Sequence, residues 1–292
     1  MNKMPSLLAV SCIALLSATT AFGQATPVSA QRAAWNKPTT PFRMIGNIHY
    51  VGTEGLGVYL ITTPQGHFLL DGAVVEAAPQ IEKNIQTLGF KLRDVKYLLN
   101  SHAHFDHSGG LAQLKQATGA TMVASEGDRS ALEGGFYLGS ADNHSFDAPP
   151  VKVDRTIADG ATLTLGGTTL KANITPGHTR GCTSWSMPVE HDGKTYQVLF
   201  FCSSSVAANR LAGPPQYPHI VADYEKTFAK AKTFQVDVFL APHPEFYGMQ
   251  AKRARLAGGG ANPFIDPREF AAHLAQSEAA FRKQLAAVKR DE

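Results

Sequence analysis

Asn100-Ser101-His102-Ala103-His104-Phe105-Asp106-His107-Ser108-Gly109-Gly110 is the stretch that decides how this chain of 292 residues is read. It follows a short apolar strand, Val95 to Leu99, and precedes a helical pattern from Gly110 to Ala117 that stops at Gly119. Three histidines and an aspartate crowd into the six residues from His102 to His107. Left unpaired in a core, each polar group would cost ~1–3 kcal/mol. In a strand-end loop relaxed by Gly109-Gly110 they can fold around a common point instead. Imidazole and carboxylate suit Zn²⁺ at ~2.0–2.2 Å, and short His-rich tracts lean toward metal binding. In extended chain His102 and His104 share a side, while Asp106 and His107 lie where the chain turns.

Two further candidates stand downstream. Thr175-Pro176-Gly177-His178-Thr179 places His178 in a rigid turn after a strand, and Leu240-Ala241-Pro242-His243-Pro244 holds His243 between prolines at another strand end. Strand-end loops of a rigid scaffold are where catalytic groups concentrate. A His-rich surface loop or an adventitious metal site is the bland alternative. The isolated His49, His67, His144, His191, His219 and His273 read as surface or satisfied core residues, and Trp35 and Trp185 as packing. Gly134-Gly135-Phe136-Tyr137-Leu138-Gly139 reads either as a mobile lid or as an ordinary helix-to-strand loop.

Around these motifs the chain alternates strands and helices. Val58–Thr62 and His67–Asp71 flank the turn Pro64-Gln65-Gly66, and Pro79–Leu88 has helical spacing. Thr121–Ala124 is again strand-like. Thr168–Ile174 is a strand, and Thr183–Val189 and Tyr196–Phe201 flank the hairpin signal Asp192-Gly193. Val221–Lys232 predicts a helix, Val238–Ala241 a strand, and Asp266-Pro267 a long helix to about Lys289 with Asp266 as N-cap. Residues 24–42 read as a loosely ordered arm. Two β-rich halves, each with helices, predict two sheets packed face to face with helices outside.

Composition excludes several classes. Hydrophobic residues at 43% and charged residues at 17% describe an ordinary globular chain without long charged tails. A net charge of +3, with Lys252-Arg253-Ala254-Arg255 as the longest basic run, does not point to nucleic acid. That run reads as a solvated face. Lys3, the apolar stretch Leu7–Leu16 and Ala21-Phe22-Gly23 form a cleavable signal peptide at residues 1–23, too short in its apolar part to span a bilayer. Residues 24–292 then form one exported domain with no membrane segment. Export leaves Cys182 and Cys202, an even pair that suggests a disulfide; two free buried thiols are the alternative.

His-x-His-x-Asp-His, the Gly177-His178-Thr179 segment and the later His243 resemble the metallo-β-lactamase superfamily over about residues 44–265. The finer resemblance is to the third subclass of metallo-β-lactamases. His107 follows Asp106, and Phe200–Ser205 holds no Asp where glyoxalase-type hydrolases carry a metal-bridging one. The resemblance implies an α+β fold, an αββα sandwich of two mixed β-sheets flanked by helices. It implies two zinc ions, one on His102, His104 and His178, the other on Asp106, His107 and His243. Asp106 would also orient the attacking water, and Ser203 and Ser205 would hold the substrate carboxylate. Other subclasses use a Cys ligand near Cys202, which leaves that residue a weaker ligand candidate. The expected activity is hydrolysis of β-lactam antibiotics by a monomeric periplasmic enzyme that confers resistance. The rivals are a zinc-dependent lactone or thioester hydrolase and a non-catalytic zinc-binding protein.

Overall fold

A computed structural model describes Met1 and residues 30–291 of the chain. The signal peptide expected at residues 1–23, Met1 apart, lies outside the described residues. The first half runs through α1 (Ala30–Trp35), β1 (Phe42–Ile45), β2 (Ile48–Tyr50), β3 (Tyr59–Thr63), β4 (Gly66–Leu70), α2 (Ala78–Thr87), β5 (Val95–Leu99), α3 (Phe105–Ser108), α4 (Leu111–Thr118), β6 (Thr121–Ser125), α5 (Glu126–Gly134) and β7 (Arg155–Ile157). The second runs through β8 (Thr162–Leu165), β9 (Thr168–Ile174), β10 (Thr183–His191), β11 (Lys194–Phe200), α6 (Ile220–Ala231), β12 (Val238–Leu240), α7 (Met249–Ala257) and α8 (Glu269–Asp291).

The strands make two sheets. One carries β1 to β7 in sequence order, antiparallel from β1 to β4 and parallel from β4 to β7. The other has the order β12-β11-β10-β9-β8 and is antiparallel except where β12 lies parallel to β11. The expected Asp-Gly turn joins β10 to β11: His191 pairs with Lys194, and Asp192 and Gly193 take φ of 48° and 71°. Positive φ at both central residues matches the right-handed twist of the flanking strands, and only residues such as Asp and Gly adopt it cheaply.

Alternation along the strands explains why both faces of the first sheet are covered. Tyr59, Ile61, Phe68, Leu70 and Leu99 point into the core between the sheets, while Leu60, Leu69, Leu98 and Val95 pack under α2 and α4 beside Ile81, Ile85 and Leu111. Successive side chains on a strand point to opposite faces, so an uninterrupted apolar strand needs a layer on each side. Helices α6 and α8 supply the fourth layer with Tyr224, Phe228, Phe281 and Leu285. The architecture is therefore the expected αββα sandwich of mixed sheets.

Three local expectations change. The described part of the N-terminal arm is ordered: Trp35 O accepts from Thr53 Oγ1 at 2.6 Å and Gly55 N at 3.2 Å, and Arg32 pairs with Glu76 at 3.0 Å. The basic run is only half solvated. Lys252 is buried and paired with Glu269, and Arg253 sits 4.8 Å from the centre of the Phe42 ring. The last helix starts at Glu269 rather than at Asp266, whose carboxylate accepts from Arg268 N at 3.0 Å.

Candidate metal centre

Every candidate ligand stands just beyond the carboxyl end of a strand. His102 and His104 follow β5, Asp106 and His107 occupy α3 directly after it, His178 follows β9 and His243 follows β12. Crevices outside strand ends are where open sheets gather ligands. The turn between α3 and α4 approaches the chain after β4 closely: a Cβ on Gly110 would come within 2.3 Å of Gly72 O, so only glycine fits.

The structure brings the six residues into two groups, His102 with His104 and His178, and Asp106 with His107 and His243; within each the ligand atoms lie within 4.8 Å of one another. In the first group His102 Nε2 and His178 Nε2 are 3.1 Å apart. Burial, with like-charged neighbours beside it, keeps His102 and His104 neutral, and burial lowers His178 to about 4. His178 Nδ1 is 2.8 Å from the Ser205 carbonyl, which only accepts, so Nδ1 carries the proton and Nε2 is bare. Ser101 Oγ donates to Asp71 Oδ2 at 2.7 Å and so receives the Nδ1 proton of His102 at 2.9 Å. Two bare imidazole lone pairs thus face each other, which is stable only around a cation.

The second group is a near-equilateral triangle. His107 Nε2 lies 3.2 Å from His243 Nε2 and 3.2 Å from Asp106 Oδ2, and His243 Nε2 lies 3.3 Å from Asp106 Oδ2. Two ligands of one tetrahedral Zn²⁺ stand about 3.3 Å apart, which the triangle and the His102–His178 pair both match. Burial opposes ionisation of Asp106, but His107 and His243 outweigh it and hold the carboxyl well below its usual range. Burial likewise opposes charge on His107, and Asp106 outweighs it and raises that pKa. An ion bound here would displace the His107 proton, which leaves imidazole and carboxylate donors, the chemistry a zinc site requires.

Two aspartates that the sequence did not flag hold this array. Asp71, at φ 67°, accepts from Ser101 N at 2.6 Å and Asn100 Nδ2 at 3.2 Å as well as from Ser101 Oγ. Asp128 in α5 accepts from Ala103 N at 3.1 Å, Thr179 Oγ1 at 2.8 Å and Gly181 N at 2.8 Å, so it ties the His104 loop to the His178 loop. Burial pushes each carboxyl up to about 6. A lone Asp after a strand, or one inside a helix, carries no local signal of this role.

The family model of the metallo-β-lactamase superfamily matches residues 58–192. BJP-1, a subclass B3 metallo-β-lactamase of Bradyrhizobium japonicum, is 51% identical, with 88% of this chain and 97% of that one covered and a TM-score of 0.86. A metallo-β-lactamase of Cronobacter sakazakii is 41% identical, with 88% and 98% covered and a TM-score of 0.84. The hydroxyacylglutathione hydrolase of Maricaulis maris is 26% identical over 59% of this chain and 69% of its own length. This chain belongs to the metallo-β-lactamase superfamily.

In this member of the superfamily a cavity of about 490 Å³ opens over both groups, with His104, Asp106, His178 and His243 in its lining. Trp35, Phe105, Tyr137, Phe146 and Phe246 form apolar walls. Trp35 packs against the buried core as expected and also forms part of the cavity wall, its ring 5.4 Å from that of His243. Trp185 is packing as expected, buried with Nε1 donating to Asn100 O at 3.2 Å. A larger cavity of about 660 Å³ between Arg43, His49, Thr168 and Glu190 shares no lining residue with either group.

Ser205 lines the rim of the 490 Å³ cavity, and Ser203 lies behind it, the two hydroxyls 3.2 Å apart. Cys182 and Cys202 are joined in a disulfide. Cys202 Sγ lies 3.6 Å from His102 Nδ1, on the side of the ring away from the Nε2 that faces His178. No Cys202 thiolate is therefore left to act as a ligand. The segment 134–139 is pinned rather than mobile: Gln216 Nε2 donates to Leu138 O at 2.6 Å and Arg210 Nη2 to Gly139 O at 2.7 Å.

Proposed function

We propose that this protein is a two-zinc hydrolase that opens the β-lactam amide of penicillins, cephalosporins and carbapenems. The observation that carries this reading is the pair of three-ligand groups facing one cavity. Likeness to BJP-1 across nearly its whole length favours β-lactams within the superfamily. His102, His104 and His178 hold one ion, and Asp106, His107 and His243 the other. Zinc so held supplies Lewis acidity for the amide carbonyl and lowers the pKa of water toward ~7.

The remaining steps belong to the chain's own residues. The Asp106 carboxylate stands at the junction of the groups, where its charge acts on His104 and His178 as well as on His107. Kept ionised, it accepts a hydrogen bond from the attacking water and aims that water at the carbonyl carbon. Breakage of the C–N bond leaves nitrogen to take the proton that the attacking water gives up, and the product is the ring-opened amino acid. Ser203 and Ser205 offer hydroxyls to the substrate carboxylate at the cavity rim. Apolar walls receive the rings and side chains of the antibiotic and exclude water from the reacting face.

The enzyme acts as a monomer in the periplasm once residues 1–23 are removed, with residues 24–292 as a single domain. Phe246 is the one large side chain, Met1 aside, that is both apolar and exposed among the described residues, which supports a chain without a large apolar interface. None of its described helices is long and apolar enough to cross a membrane. The disulfide suits an oxidising compartment.

Side-by-side assays of a chromogenic cephalosporin, an acyl-homoserine lactone and a glutathione thioester test the activity. The cephalosporin should give the highest kcat/KM by at least tenfold. Preference for the lactone or thioester would replace this reading with the rival hydrolase, and no turnover of any would leave a zinc-binding protein.

A further inference from the structure

We propose that Tyr137 is a positioning residue of the metal centre, its ring face fixing the plane of the His104 imidazole. The two rings stack at 4.4 Å between centroids and 12° between planes. The neighbouring histidine rings meet His104 edge-on instead, His102 at 83° and His178 at 67°. Edge contacts leave the plane of His104 free to tilt, whereas a flat neighbour fixes it. A ligand imidazole tilted out of plane no longer aims its nitrogen lone pair at the ion.

The tyrosine is itself held at both ends. Its hydroxyl donates to Asn209 Oδ1 at 2.9 Å, and Asn209 Nδ2 donates to His178 O at 2.8 Å. Tyr224 Oη donates at 2.7 Å to Ser205 O, the same carbonyl that accepts His178 Nδ1. One network therefore links the face of one ligand histidine to the backbone and ring of another. The backbone beneath Tyr137 is equally constrained, since a Cβ on Gly139 would lie 1.9 Å from Gln216 O. Packing alone would be met by any apolar side chain, and Phe146 at 5.2 Å already supplies an apolar neighbour. The near-parallel stack on a ligand is what a general packing role leaves unexplained.

The proposal rests on His104 and His178 being ligands, so the test separates the two claims. Metal-free protein is titrated with Co²⁺, and the visible absorption of the bound ion and its dissociation constant are recorded. His178→Ala should abolish the spectral component of the tri-histidine group; if it does not, the ligand assignment fails. Given that loss, Tyr137→Leu should weaken Co²⁺ binding at that group by about 10–100-fold and shift its band, the usual scale for a lost supporting contact. Tyr137→Phe, which keeps the ring face, should stay within about threefold of wild type on the same scale. A Leu variant indistinguishable from wild type, or a Phe variant as impaired as the Leu one, would overturn the stacking role. If Tyr137→Leu does not fold, Tyr137→Met refills the volume without a flat ring and reads the same quantity.

Discussion

His178 shows how much one residue carries. Its ring is oriented by Ser205 O, its backbone by Asn209, and its Nε2 meets His102 across the first group. Replacing it by Ala should remove close to one zinc per chain, whereas His144→Ala, at a solvent-exposed ring, should leave the metal content unchanged. Equal losses by metal analysis would sink the ligand assignment. Ser203 and Ser205 give a second test. Ala at both positions keeps the Ser205 carbonyl that holds His178, so zinc content should not change. KM for a carbapenem should rise by roughly tenfold to a hundredfold, the worth of ~1.5–3 kcal/mol of hydrogen bonding to a charged group. An unchanged KM would take these serines out of the substrate site. The six candidate ligands were legible because each sits in a short local pattern of His, Gly and Pro. Asp71 and Asp128 were not, because their function exists only once separate strand ends converge on them. Asp128→Ala leaves Ala103 N, Gly181 N and the Thr179 hydroxyl without their acceptor and should cost about 3 kcal/mol or more of stability, measured by denaturant unfolding.

Among elements, those with a clear period or an apolar run next to a recognisable motif were readable, down to the three-residue β12, whereas α5, β1 and β2 were not. Helix α2 and strands β9 to β11 fall within a residue or two of the sequence reading because one period runs through each. Helix α5 hid behind Gly127, a residue that argues against a helix interior. The glycine is there because a Cβ would meet Arg180 O and Gly181 Cα at 2.8 Å, in the loop that Asp128 holds. Strands β1 and β2 are four and three residues long and carry Arg43 and His49, so they show neither alternation nor the unbroken apolar run that marks the equally short β12. The Cys182–Cys202 bridge ties the start of β10 to the end of β11, spanning 20 residues of sequence. A closed loop of that size constrains the unfolded chain by about 3 kcal/mol. Cys182→Ser with Cys202→Ser should lower stability by about that amount. Alkylation of denatured but unreduced protein should label neither cysteine; labelling of both would show the bridge to be absent.

At the scale of the whole molecule, the two sheets exist to bring strand ends from both halves of the chain to one rim, and the outer helices seal the assembly. His273 lies in that outer layer, its ring 4.8 Å from Phe239 and 5.3 Å from Phe246, and burial lowers its pKa to about 4. The unfolded chain takes up this proton near pH 6.5 while the folded one refuses it down to about pH 4, so stability present at neutral pH is lost as pH falls through that window. His273→Phe should reduce the loss of unfolding free energy between pH 7 and pH 4 by about 2–3 kcal/mol in metal-free protein. An unchanged pH slope would contradict it. The central claim is that two zinc ions held by these six residues perform β-lactam hydrolysis, and titration of metal-free enzyme with zinc tests it most directly, with bound metal and chromogenic cephalosporin turnover followed together. The account predicts saturation at two ions per chain with turnover returning as they bind; saturation at one ion, or two bound ions without turnover, would contradict it.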